Sequence, residues 1–102
     1  MSEHIETAIA IAHEEANGRG AFFVERDGQR IAVMTYRRVG ERLVVIDHTE
    51  VDASLKGMGV ARRLLDAAVA WARESATKLS ATCSYATAQF DKDPSIRDVL
   101  AG

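Results

Sequence analysis

The sequence has few of the residues that build cross-links, metal sites or membrane segments. Its single cysteine, Cys83, excludes an internal disulfide and fits a reducing compartment. One cysteine alone does not build a zinc site, so we expect no metal. The first residues lack the basic flank and apolar run of a secretory signal, and no stretch approaches the roughly 18 apolar residues of a spanning helix. These absences predict a cytoplasmic protein with no membrane partner.

Positive charge is also scarce for a protein that would bind nucleic acid. The 102 residues contain 13 lysines and arginines against 15 aspartates and glutamates, a formal net charge of −2. This balance argues against general nucleic-acid binding. Hydrophobic residues make up 47% and charged residues 27%, as in ordinary globular domains. No repeat or linker interrupts the chain, so we expect one domain over residues 1–102.

Residues 4–16 fit either a strand or a helix. Ile5, Thr7, Ile9 and Ile11 alternate with other residues at the period of a strand. The intervening alanines and Glu14-Glu15 would also suit a helix, and the sequence leaves both interpretations open.

Turn signals then divide the next part of the chain into strands. Asn17-Gly18-Arg19-Gly20 and Asp27-Gly28 are strong turn sequences, and a further turn is predicted around Val39-Gly40-Glu41-Arg42. The segments between and after them are rich in apolar and strand-forming residues. We therefore expect three antiparallel strands, covering residues 21–25, 31–36 and 43–46.

The apolar period changes from strand to helix after Gly59. Apolar residues recur at helical spacing from Val60 to Ala72, and residues 79–83 then favour another strand. Parallel pairing of that strand with residues 43–49 would make a β-α-β crossover. A short helix is predicted over residues 85–91, with a last turn or helix over residues 95–100. The predicted fold class is therefore mixed α/β, of the α+β type.

The loop before this helix favours phosphate binding. Gly57 and Gly59 let backbone N–H groups approach an anion, and the start of a helix attracts negative charge. Residues 56–63 contain three positive side chains and no negative one. The P-loop signature is absent, and Gly57-x-Gly59 lacks the third glycine of a dinucleotide fingerprint. A pyrophosphate fits the geometry that remains.

Residues 51–65 resemble the coenzyme A-binding motif of the GNAT superfamily of N-acetyltransferases, Gln/Arg-x-x-Gly-x-Gly/Ala at a helix start. Lys56, Gly59 and Ala61 occupy its three defined positions, with lysine in place of Gln/Arg. Together with His48-Thr49-x-Val51 and Cys83, the loop is similar to a small single-domain GNAT-like group of about 100 residues. The resemblance covers residues 22–100.

The resemblance implies acetyl transfer from acetyl-coenzyme A to a primary amine, with the acceptor either a small molecule or a protein. It also implies a fold of antiparallel strands followed by a β-α-β crossover, with a splayed coenzyme A cleft and a short C-terminal helix. The residues it assigns to the cofactor are Val51, Lys56, Gly57, Met58, Gly59, Val60, Ala61, Arg62 and Arg63. A catalytically inactive coenzyme A-binding or interaction module is the alternative.

Three residues are candidates for the chemistry. Cys83 would accept an acetyl group or protonate the departing thiolate, or else serve only in packing. His48 and Glu50 are candidate bases that would share one strand face, with Asp47 on the other. Full-length members often use a tyrosine as the acid, and Asp91 stands at that position. Tyr85 is interpreted as packing, whereas His4 and His13 are interpreted as surface residues.

Overall fold

The computed structural model describes residues 9–101, which form one five-stranded sheet and two α-helices. No helix in this part of the chain is both long and apolar enough to cross a membrane. Short 3₁₀ helices cover Ala53–Leu55 and Pro94–Val99. The strands are β1 (Ala12–Ala16), β2 (Arg19–Arg26), β3 (Gln29–Gly40), β4 (Leu43–Val51) and β5 (Lys78–Ala81), and the helices are α1 (Val60–Ser75) and α2 (Ser84–Lys92).

The sheet follows the order of the chain, β1-β2-β3-β4-β5. The first four strands pair antiparallel, and β5 pairs parallel to β4 after the chain has crossed over through α1. Antiparallel neighbours need only short turns, whereas a parallel partner requires a crossover such as this helix. The predicted α/β class, the hairpins and the β-α-β crossover are confirmed.

The hydrophobic core lies between the sheet and the apolar side of α1. Buried α1 residues recur three or four positions apart, as expected for a helix with one covered side. They pack on residues of one sheet face, among them Phe22, Met34 and Ile46. The buried α1 side chains are Val60, Leu64, Leu65, Ala68, Val69 and Ala72.

The first strand settles part of the open question about residues 4–16. Residues 12–16 form β1 at the sheet edge, whereas residues 4–8 lie outside the described part. His4 also lies outside it. His13, predicted to be a surface residue, is exposed on β1, and its ring also stacks on Phe22 at 4.1 Å with Nε2 2.7 Å from the Tyr36 hydroxyl oxygen. Periodicity on a short exposed strand does not reveal such a long-range contact.

Strands β4 and β5 diverge at the end that faces the glycine loop. Their pairing runs from Leu43–Lys78 to Ile46–Ala81, after which β4 continues to Val51 without that neighbour. The N–H groups of Thr82 and Cys83 both donate to the Ile46 carbonyl, at 2.9 and 3.2 Å, and the chain then turns into α2. This divergence creates the splayed cleft implied by the resemblance.

A bulge in β4 changes which side chains face each other. Tyr36 of β3 pairs with Ile46, but Thr35 pairs with His48, so Asp47 is the extra residue. Thr35 Oγ1 donates to Asp47 Oδ1 at 2.6 Å, which puts Asp47 on the same face as Thr35 and His48. The prediction that Asp47 lies opposite His48 was therefore wrong, because it assumed uninterrupted alternation.

Candidate functional site

A glycine-containing turn joins β4 to α1. Asp52 accepts a hydrogen bond from the Ser54 N–H at 2.9 Å and so caps the short 3₁₀ helix. The chain then turns through Gly57 and Gly59, whose φ angles are +81° and +69°. A side chain at either position would be strained in this left-handed region. A Cβ built there meets no heavy atom within 4 Å, so open space faces both glycines.

The start of α1 presents unsatisfied backbone donors to this space. Gly59 is the N-cap and supplies no capping side chain, and the first turn contains no acidic residue. The N–H groups of Gly57 and of residues 59–62 find no acceptor among residues 9–101. Unpaired donors and the positive end of the helix dipole together attract an anion.

A cavity of about 490 Å³ lies against these donors. Its volume falls within the range of small-molecule sites, roughly 300–1,000 Å³. Of the nine residues assigned to the cofactor by sequence, seven line it, whereas Met58 is 49% exposed and Arg63 lies outside the wall. The lining residues are Val51, Ala53, Leu55, Lys56, Gly57, Gly59, Val60, Ala61, Arg62 and Tyr85.

The three positive side chains of the loop differ in their surroundings. Lys56 is exposed in the cavity wall, and Arg63 is directed to the Ile9 carbonyl, to which it donates at 3.1 Å. Arg62 is committed to side chains of its own chain, including Asp66 at 2.8 Å. Hydrogen bonds to Asp93 and Asp66 raise the pKa of Arg62 above its usual value. Lys56 and Arg63 therefore offer the charge that is more accessible to a ligand.

Cys83 lies where β4 and β5 separate. It is the N-cap of α2 and is buried, with 8% of its surface exposed. Its Sγ lies 3.2 Å from Thr49 Oγ1, within hydrogen-bonding distance. Because Thr49 pairs with Met34 of the core face, this contact lies on the side of the sheet that the helices cover. Thr49 belongs to the His48-Thr49-x-Val51 motif, but the sequence alone indicates no role for it.

His48 and Glu50 lie on the other face of the same strand. Their partners in β3 are Thr35 and Val33, which alternate with the core residue Met34. His48 Nε2 lies 3.3 Å from Glu50 Oε1, and both side chains are mostly exposed. Glu50 also lines a second cavity of about 150 Å³. The structure therefore pairs the two candidate bases and separates them from the face that holds Cys83.

Tyr85 was interpreted as a packing residue, and it does pack against the core, but it also lines the large cavity from the first turn of α2. Burial raises the pKa of its hydroxyl, so the phenol stays neutral at physiological pH. The sequence feature that could have placed Tyr85 at the site was its position two residues after Cys83. Asp91, at the position of the usual tyrosine, is exposed near the other end of the same helix.

No cluster of three or more potential metal-ligating side chains occurs within residues 9–101. The polar groups that converge on the large cavity are backbone amides and basic side chains, which are donors suited to an anion rather than ligands suited to a cation.

Comparison with known proteins identifies the family. The family model for GCN5-related N-acetyl-transferases matches residues 21–99. Protein NATD1 of Homo sapiens is 33% identical over 91 residues, which are 88% of this chain and 80% of that protein. Protein NATD1 of Mus musculus is 36% identical over 91 residues, covering 88% and 83% of the two chains.

Solved structures show the same architecture. The solution structure of a GCN5-like protein from Staphylococcus aureus has a TM-score of 0.69 and 34% identity, covering 92% of this chain and 89% of that one. A ribosomal-protein-alanine N-acetyltransferase from Brucella melitensis shares the fold with a TM-score of 0.58 and 23% identity, over 68% and 55% of the two chains. The chain is thus a small member of the GCN5-related N-acetyltransferase (GNAT) family.

Proposed function

We propose that residues 1–102 act as a single domain that binds acetyl-coenzyme A and transfers its acetyl group to a primary amine. The observation that carries this proposal is the row of free backbone donors at Gly57 and residues 59–62, which faces a cavity of about 490 Å³. A coenzyme A pyrophosphate needs such a cradle, and Lys56 and Arg63 add positive charge near it. Membership of the GNAT family supports the same ligand.

Acetyl-coenzyme A would supply an activated thioester, whose carbonyl carbon forms a bond to the amine nitrogen while the bond to sulfur breaks. The role of this chain is to hold the pyrophosphate at the glycine loop and to direct the rest of the molecule into the cleft between β4 and β5. Cys83, at the closed end of that cleft, would accept the acetyl group or protonate the departing thiolate. Its free thiol also fits a cytoplasmic location.

His48 and Glu50 would serve on the acceptor side. They lie at the splayed end of β4 on the sheet face opposite Cys83, where an amine can approach without passing the cofactor. An imidazole paired with a carboxylate is a suitable general base for the removal of the ammonium proton. The exposure of this face suits the amine of a peptide or protein at least as well as that of a small molecule.

A second candidate is a coenzyme A-binding module without catalysis. Asp91 at the position of the usual acid favours it, because the tyrosine hydroxyl that full-length members often use there is missing from this chain. Incubation with acetyl-coenzyme A labelled in the acetyl group separates the two functions. Label transferred to an amine, or held on Cys83, supports the enzyme. Saturable binding with neither outcome supports the module, and the absence of binding would contradict both.

A further inference from the structure

The most heavily bonded side chain in the wall of the large cavity is Arg62. Its Nε donates to Asp66 Oδ1 at 2.8 Å, and its Nη1 donates to Gln89 Oε1 at 2.9 Å. Its Nη2 donates to Asp93 Oδ2. Asp66 lies one turn further along α1, whereas Gln89 and Asp93 lie at the far end of α2. One guanidinium therefore joins the start of α1 to the end of α2.

The partners of Arg62 leave little positive charge for a ligand. Two carboxylates face one guanidinium, so the group as a whole has a net negative charge. Asp93 is itself held in place, since it accepts hydrogen bonds from the N–H and the hydroxyl of Ser95, at 2.9 and 2.6 Å. A phosphate that recruited Arg62 would have to displace these carboxylates, whereas Lys56 is exposed in the cavity wall and Arg63 faces only the neutral Ile9 carbonyl.

The same contacts add to the core packing of Ala86 and Phe90 in holding α2. Tyr85 lines the cavity from α2, and the glycine loop lines it from the start of α1. Cys83 begins α2, so the position of its sulfur also depends on how that helix is held. The bonds of Arg62, itself a lining residue, join the start of α1 to α2, and they thereby help to hold Tyr85 near the loop.

We propose that Arg62 is a positioning residue, which holds α2 against the coenzyme A cavity through Gln89 and Asp93 and does not itself bind phosphate. This inference rests on the proposed acetyl-coenzyme A site. It assigns the electrostatic part of cofactor binding to Lys56 and Arg63, and the shape of the cavity to the contact between Arg62 and α2.

Asp93→Asn separates positioning from phosphate binding, because the two roles predict changes of opposite sign. Asparagine keeps the shape of the side chain and its cap on Ser95 but removes the charge that holds Arg62. If Arg62 positions α2, the dissociation constant for acetyl-coenzyme A rises by about fivefold, or roughly 1 kcal/mol. If Arg62 binds phosphate, release of its competing carboxylate leaves affinity unchanged or improves it.

Arg62→Lys and Arg62→Ala provide an independent comparison by calorimetry at low and high salt. Lysine keeps the charge but does not reproduce three directed bonds. We expect both variants to weaken binding by similar factors and to retain the salt dependence of the parent. Parental affinity in Arg62→Lys, or a flatter salt dependence in Arg62→Ala, would overturn the inference. These two variants also decide the question if Asp93→Asn does not fold.

Arg73→Ala is the matched control. Arg73 lies at the other end of α1 and is paired with Asp98 at 2.8 Å, away from the large cavity. Its loss should lower thermal stability without changing acetyl-coenzyme A affinity. If the parent binds but Asp93→Asn binds equally well or better, the positioning role fails and the site stands. If the parent does not bind, the proposed function fails as well.

Discussion

At the scale of single residues, the contact between Cys83 and Thr49 is the main indication of chemistry beyond cofactor binding. A buried cysteine usually serves as a small apolar side chain. Here the sulfur lies 3.2 Å from a hydroxyl and at the point where β4 and β5 part. Its position, rather than its type, makes it a candidate reactive group.

Cys83→Ala and Cys83→Ser test this role. If the thiol accepts the acetyl group or donates a proton, both variants should lose acetyl transfer by about a hundredfold or more while still binding acetyl-coenzyme A. Serine should not restore activity, because a hydroxyl ionises far less readily than a thiol. Transfer rates and calorimetric affinities measured together check this expectation. Full activity in Cys83→Ala would leave the thiol a packing role and His48 and Glu50 as the remaining candidates.

A second prediction at this scale concerns pH and His13. Partial burial of the ring lowers the pKa of His13, although nearby Glu15 opposes the shift. Folding therefore disfavours the protonated ring. The contribution of the neutral ring to the free energy of unfolding is present above the ordinary histidine pKa of about 6.5, and it is lost as the pH falls below that value.

The free energy of unfolding, measured in urea between pH 7.5 and 5.5, should decline for the parent and decline less for His13→Gln. A hydrogen bond from Arg38 lowers the pKa of Glu15 to about 2, so Glu15 stays ionised throughout this window. Identical slopes in the two proteins would show that His13 does not control this pH dependence.

At the scale of elements, the glycine loop and the start of α1 form the proposed anion site. Local sequence suffices to predict it, since glycines, the onset of helical periodicity and basic side chains all lie within residues 56–63. The role of each basic side chain, in contrast, depends on contacts with distant parts of the chain. The contact between Arg62 and Asp93 joins residues 31 positions apart, so sequence spacing alone does not reveal it.

Lys56→Ala combined with Arg63→Ala tests the electrostatic share of binding. Each accessible charge is expected to contribute about 0.7 kcal/mol to binding. Because the double variant removes both charges, its affinity for acetyl-coenzyme A should fall roughly tenfold at low salt. The difference from the parent should shrink at high salt because the lost attraction is screened. Arg37→Ala, which removes an exposed charge from β3, is the control. Parental affinity of the double variant at both salt concentrations would leave binding to the backbone donors alone.

The β4 bulge shows a limit of pattern reasoning at the same scale. Alternation correctly predicts His48 and Glu50 on one face, but it predicts Asp47 on the other. The extra residue at Asp47 is opposed by no residue of β3, and single-strand periodicity contains no signal for it. The register of a strand depends on its partner as well as on its own sequence, so only the pairing of β3 with β4 reveals the bulge.

At the scale of the whole molecule, the fold was more predictable than the site. The Asn17-Gly18 and Asp27-Gly28 turns, the amphipathic α1 and the parallel β5 all follow from local signals, and each is confirmed. The cavity requires α2 to pack beside the loop, a contact between distant segments. The packing role of Tyr85 was therefore predicted, but its place in the cavity wall was not.

The central claim is that the glycine loop binds acetyl-coenzyme A, and calorimetry of Gly59→Glu beside Gly28→Glu tests it most directly. Both glycines have positive φ and open space around a built Cβ, so both variants have similar backbone strain. Only Gly59 lines the large cavity. We predict that Gly28→Glu binds like the parent, whereas Gly59→Glu loses at least about a hundredfold in affinity, roughly 2.8 kcal/mol, through steric exclusion and charge repulsion. A folded Gly59→Glu protein with parental affinity would contradict the account.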